Sequence, residues 1–168
     1  EGGGLYTRDS DNVTISGNTV THNSAEWIGG GSSIWDSDDA TLSANTFTDN
    51  RATWGGGLSV WGSDASITDN AFHDTTAGTD GGGLSLVSSD SALTNNFIAD
   101  NQADDGGSGL YLDLSSARVL HTTIARNKGS GVRVTNSTVG MTNTILVGHT
   151  FGITVGVGSS AYLEATLW

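Results

Sequence analysis

Two tryptophans, Trp35 and Trp61, and three aspartates, Asp49, Asp74 and Asp100, recur at nearly constant intervals along the chain. Two indoles held side by side make a flat apolar platform that suits the face of a sugar ring. The same pair could instead serve only as a cross-strand aromatic contact that stabilises a sheet. The aspartates fall in one phase with His22 before them and Arg126 after them, and His73 lies beside Asp74. Stacked carboxylates repel one another and are relieved by a raised pKa, a cation or solvent. Three carboxylates plus water could seat Ca²⁺, which takes six to eight oxygen ligands. The plain alternative is a solvated acidic edge with no cofactor.

Such residues can act together only if the fold repeats with their period. The last glycines of the Gly-rich clusters are Gly4, Gly31, Gly57, Gly83, Gly109, Gly131 and Gly152, so the unit is 26 or 27 residues at first and 22 then 21 at the end. Two apolar columns follow each cluster: Leu58, Leu84, Leu110 and Val132 in one, and Ile34, Val60, Leu86, Leu112 and Val134 in the other. A turn rich in Asp and Ser comes next, then a second strand marked by Ile15, Leu42, Ile67, Leu93 and Val119, and a third marked by Val20, Phe47, Phe72, Ile98, Ile124 and Ile145. Two-residue alternation in short pieces predicts strands, and no stretch carries a helical period. A unit this small cannot bury its apolar face alone but can do so on copies of itself. The expectation is a single all-β domain, a right-handed parallel β-helix of about six to seven coils with three short strands per coil, and a length of about 30 Å at one strand spacing per coil.

Asparagines stand between the second and third strands at Asn18, Asn45, Asn70 and Asn96, with Asn143 assigned to the same column in the sixth coil. A stacked amide can bond its counterpart one coil away, so these residues predict a ladder, and a second column reads Asn23, Asn50, Thr75, Asn101 and Asn127. The strip Asp11, Asp38, Asp39, Asp64 and Asp90 is expected to cap turns by bonding the backbone two residues on. Trp27 and Trp54, just before glycine runs, are expected to cover a corner. Between the core columns, one outward column reads Tyr6, Ser33, Ser59, Ser85, Tyr111 and Arg133, and the next reads Arg8, Trp35, Trp61, Val87, Asp113 and Thr135.

The formal net charge of −12, with only 6 Lys and Arg in 168 residues, argues against nucleic acid as a partner. No apolar run is long enough to span a bilayer as a helix. The chain has no cysteine, which rules out disulfides and thiolate metal sites. The four histidines lack metal-ligand spacing, and the glycine runs are not phosphate loops because no Lys follows them.

The pairing of "GGGLSV" with "FTDN", and the relaxed forms "VTHN", "IADN" and "IARN", resembles the right-handed parallel β-helix repeats of bacterial surface and secreted proteins, including the polymorphic outer-membrane adhesins. The likeness covers almost the whole chain. It implies the pectate-lyase-like fold, which hosts lyases, hydrolases, adhesins and inert stalks alike. The aspartate column superficially resembles the Asp clusters of the enzymes, but the paired "DD" beside "GHG" and "RIK" motifs is missing. The expected function is therefore a non-enzymatic extracellular or cell-surface module, acting as stalk, adhesive surface or filament unit. It would be a segment of a longer chain, with a polysaccharide, another surface protein or its own copies as partner. The alternatives are a polysaccharide lyase or glycoside hydrolase, and a carbohydrate-binding module.

Overall fold

The computed structural model describes residues 2–167. Among them there is no helix, and 23 short strands wind as a parallel solenoid of about six turns. The first sheet takes one strand from every coil: Leu5–Arg8, Ser32–Trp35, Leu58–Trp61, Leu84–Val87, Leu110–Asp113, Ser130–Thr135 and Phe151–Val155. The second sheet contains Thr14–Ser16, Ala40–Ser43, Ala65–Thr68, Asp90–Thr94, Ser116–Leu120, Thr138–Thr142 and Ser160–Glu164. The third contains Thr19–Thr21, Thr46–Thr48, Ala71–His73, Phe97–Ala99, Thr123–Ala125 and Ile145–Val147. A fourth, narrow sheet is confined to Arg51–Ala52, Thr76–Ala77 and Gln102–Ala103, so the middle coils carry one strand more than the three expected.

Alternation along each strand fills the interior. Leu58 and Val60 point inward and are fully buried, as are their counterparts Leu84 and Leu86 one coil on. Phe47 and Phe72 stack in the core with centroids 4.9 Å apart. Each such residue touches its like above and below, so apolar area is removed from water only in the stacked state.

The corners obey one rule. A residue in the left-handed backbone region is followed by a small polar residue whose side chain reaches the neighbouring coil. Between the second and third strands the left-handed residues are Gly17, Ala44, Asp69, Asn95, His121 and Asn143. The ladder residues after them are Asn18, Asn45, Asn70, Asn96, Thr122 and Thr144. The Asn45 and Asn70 amide N–H groups donate to the side-chain oxygens of Asn70 and Asn96 at 2.9 and 3.0 Å. The Asn70 side-chain nitrogen returns a bond to the Leu42 carbonyl at 2.9 Å. Asn18 joins the same ladder through Asn45.

Asn143 does not. It is exposed, while Thr144 is fully buried in the ladder position, because Thr123 pairs with Ile145 and Ile124 with Leu146. The sixth coil is therefore one residue out of the phase expected from Asn143 and Ile145. Asn143 holds the left-handed corner, a conformation that its short side chain tolerates.

A second ladder follows the third strand, where Asn23 donates to Asn50, Thr75 to Asn101 and Asn101 to Asn127. His149 takes this place in the sixth coil, with its ring nitrogens 3.2 and 3.0 Å from the Asn127 and Ile124 carbonyls. A third ladder escaped the sequence reading: Ser37, Ser63, Ser89, Ser115 and Ser137 each accept an amide N–H from the coil before. The aspartate strip also bonds between coils rather than locally, since Asp64 and Asp90 donate their amides to Asp38 and Asp64 carboxylates at 3.1 and 2.9 Å.

Candidate functional site

The corner between the second ladder and the first sheet varies in length, and it builds a strongly aromatic surface. In the coils ending at Gly31, Gly57, Gly83 and Gly109 it runs over six or seven residues. The chain there folds over the outer face of the first sheet. Gly55 is in the left-handed region, and a Cβ on it would lie 2.9 Å from the Ser59 side chain. Gly29 and Gly81 cover Ser33 and Ser85 in the same way. The serines of this outward column are thus fully buried under their own chain and are no part of the surface.

Trp27 and Trp54 rise from this corner, opposite Trp35 and Trp61 at the ends of the first-sheet strands. Both pairs are stacked. Trp35 and Trp61 have centroids 5.0 Å apart and planes 4° apart, and Trp27 and Trp54 have centroids 6.5 Å apart and planes 18° apart. Parallel rings with centroids this close overlap face on face, since two coplanar indoles side by side would need more room. The pair Trp35 and Trp61 is therefore not the open platform expected from the sequence. Its inner faces cover each other, and the outer face of Trp35 carries the Arg8 guanidinium 5.8 Å from the ring centroid.

What the four indoles form is a slot of about 280 Å³, walled by Trp27, Trp35, Trp54 and Trp61 with Ile28 between them. Trp27 and Trp54, expected only to cover the corner, are half of its lining. The slot opens toward a second cavity of about 250 Å³ lined by Trp54, Trp61, Val87, Tyr111 and Asp113. Asp80 lies within electrostatic reach of Tyr111 and Asp113 of that cavity; its Oδ1 is buried and lacks a hydrogen bond, and the Arg133 guanidinium is 3.7 Å away. Burial pushes the Asp80 carboxyl up to about 6, with Arg133 opposing the rise and Asp105 and Asp113 adding to it. The Tyr111 hydroxyl is also pushed up, first by burial and then by Asp113 and Asp80.

The aspartate column lies elsewhere and does not converge. Asp49, Asp74 and Asp100 occupy the left-handed corner just before the second ladder. Their carboxylates engage separate neighbours: Asp49 with Thr48 at 3.2 Å, Asp74 with His73 at 2.9 Å, and Asp100 with Arg126 at 2.9 and 2.6 Å. Asp100 is held below the ordinary carboxylate range, chiefly by that hydrogen bond to Arg126. Among the described residues no group of three or more His, Asp or Glu side chains is placed to hold a metal ion. Asp tolerates this left-handed corner backbone, which by itself accounts for its recurrence at this phase.

The winding direction and lineage come from comparison. The model of a family described as "right handed beta helix region" matches residues 3–166. The chain belongs to this right-handed β-helix family. No curated protein matches it in sequence. Among solved structures, the crystal structure of the periplasmic alginate epimerase AlgG is similar, with a TM-score of 0.72 at 16% identity. The alignment covers 98% of this chain and 47% of that one, so the present β-helix spans about half the length of that structure. At that identity the likeness is one of fold.

Proposed function

We propose that this β-helix is a glycan-binding module of a protein located outside the cytoplasm, and that it binds without chemistry. The observation that carries this reading is the four-indole slot running into the notch beside Val87. Apolar walls followed by hydrogen-bonding groups match an extended sugar chain, whose rings offer C–H faces and hydroxyl edges. A rigid solenoid held by three inter-coil ladders suits a stalk that presents such a groove. Titration of the indole fluorescence with soluble β-linked oligosaccharides tests it. A saturable change is expected, and Trp54→Ala with Trp61→Ala should weaken binding about tenfold or more while the far-ultraviolet spectrum is kept. No saturable response to any glycan would sink the reading.

Asp80 favours a second reading. A carboxyl pushed up to about 6 beside a groove is the kind of group that donates protons in polysaccharide cleavage or epimerisation. Formation of new reducing ends, unsaturated products or epimerised residues, lost in Asp80→Asn, would support an enzyme over a binding module.

A further inference from the structure

We propose that the notch between Trp61 and Asp113 seats a sugar residue carrying a protonated amine. This rests on the glycan-binding reading. The notch is a gap in a stack. Arg8, Trp35, Trp61, Val87 and Asp113 follow one another in strict register on successive strands of the first sheet. The first three fill the outer column: Arg8 lies over Trp35, and Trp35 lies on Trp61. Val87, itself buried, is too short to continue it, and at its level lies the cavity that it lines together with Trp54, Trp61, Tyr111 and Asp113. Two strand spacings separate Trp61 from Asp113, about 10 Å, which leaves room for one ring about 5 Å thick.

The chemistry of the walls selects the occupant. One wall is an indole face, and the same stack already carries a cation on its other end in Arg8. The opposite wall is the Asp113 carboxylate, whose one hydrogen bond among the described residues comes from the Asn136 amide at 3.3 Å. Among the described residues no basic side chain lines the notch. Arg133, the nearest guanidinium, donates to the Asp105 carbonyl at 2.7 Å and faces Asp80. The Tyr111 hydroxyl, raised first by burial, is raised further by Asp113 and Asp80, which places both carboxyls within electrostatic reach of the notch. The net charge of −12 adds a long-range preference for cations. A uronate placed on Trp61 would meet Asp113 with like charge, so the polymer named for the similar periplasmic epimerase is the wrong chemistry for this groove.

The test compares three probes by calorimetry at pH 6: a β-1,4-linked glucosamine tetramer, its fully N-acetylated counterpart, and a uronate tetramer. The amine form is expected to bind about tenfold more tightly than the N-acetylated form, the gain of a charge-assisted bond, and the uronate not measurably. Asp113→Asn should bring the ratio of amine to N-acetyl affinity to about one. Val87→Trp fills the gap with a residue the column accommodates two levels running, and should abolish binding of the amine form at the notch. Equal affinity of the wild type for the amine and N-acetyl forms, or an unchanged ratio in Asp113→Asn, overturns the inference while leaving the glycan-binding reading standing. Binding of none of the three overturns the inference, and the glycan-binding reading falls with it when the oligosaccharide fluorescence titration is negative as well.

Discussion

The coils that end at Gly31, Gly57, Gly83 and Gly109 differ from those that end at Gly131 and Gly152 in one corner only. Between the second-ladder residue and the last glycine of the cluster the early coils place six or seven residues; the late ones place three, Lys128 to Ser130, and two, Thr150 and Phe151. The other corners vary by one residue at most. Those extra residues make the fourth sheet, the cover over Ser33, Ser59 and Ser85, and the supports of Trp27, Trp54 and Asp80. Scaffold and site are thus separable along the repeat. Three corners hold the solenoid together with ladders, and the fourth is free to lengthen and carry function.

The most severe way to break that contrast is a side chain at Gly56. A Cβ there would lie 2.5 Å from the Gly82 carbonyl oxygen and 2.6 Å from that of Thr76, all backbone of the long corner. Gly56→Ala should lower stability by about 3 kcal/mol or more, at the upper end for overpacked cores. In the short corner, Gly129 is left-handed but has nothing within 4 Å of its missing Cβ. Gly129→Ala should therefore cost only the backbone strain, about 1–2 kcal/mol. Denaturant unfolding of both variants measures the difference, and equal losses would show that successive long corners are not packed closely on one another.

The ladders give the next largest effect. Asn70 is buried, accepts from the Asn45 amide and donates to the Leu42 carbonyl. Asn70→Ala leaves these two groups unpaired in the core and should cost about 2–6 kcal/mol, at about 1–3 for each group left unsatisfied. Asn143→Ala removes no ladder bond and should cost about 1 kcal/mol, the left-handed preference alone. If the two variants lose stability equally, the sixth coil has the phase that places Asn143 in the column.

That pair of residues also marks where the sequence was legible and where it was not. The fold could be read because burial in a solenoid is a column property: Leu58, Leu84 and Leu110 announce a strand each time they recur. The four long coils kept their phase. The sixth slipped because "TNTIL" offers both Asn143 with Ile145 and Thr144 with Leu146 at the same spacing, although the 22-residue step from Gly109 to Gly131, carried from Val119 to Met141, selects the second, as the strand register shows. The serine ladder had a visible signal, Ser at one phase from Ser10 to Ser159, but serine in a turn-rich stretch reads as loop composition. The pairing of Trp35 with Trp61 was legible from register. The slot was not, since Trp27 and Trp54 reach it from the variable corner, and no periodicity specifies how a loop folds over a sheet face.

The two perturbed carboxyls set the final contrast, because they sit in the two kinds of corner and respond to pH with opposite signs. Asp80, in the long corner, is raised to about 6 by burial. The folded state holds its proton over a range in which the unfolded chain has released it, so this residue lowers stability progressively as pH rises from about 4 through 6. Asp80→Asn should then raise the melting temperature above pH 7 and lose that advantage near pH 4. Asp100, in a ladder corner, is lowered by its hydrogen bond to Arg126, so its contribution is present above the ordinary carboxylate range and fades as pH falls through the folded value. The pair is exposed, so Arg126→Ala should change the melting temperature least of all the variants and show its effect in the titration of Asp100, which returns upward toward the ordinary value. Carboxyl carbon shifts followed by nuclear magnetic resonance across pH 2–7 read both residues in one experiment. A downward move of Asp100 in Arg126→Ala, or an Asp80 midpoint at the ordinary value, would remove the electrostatic distinction between the scaffold corner and the site corner.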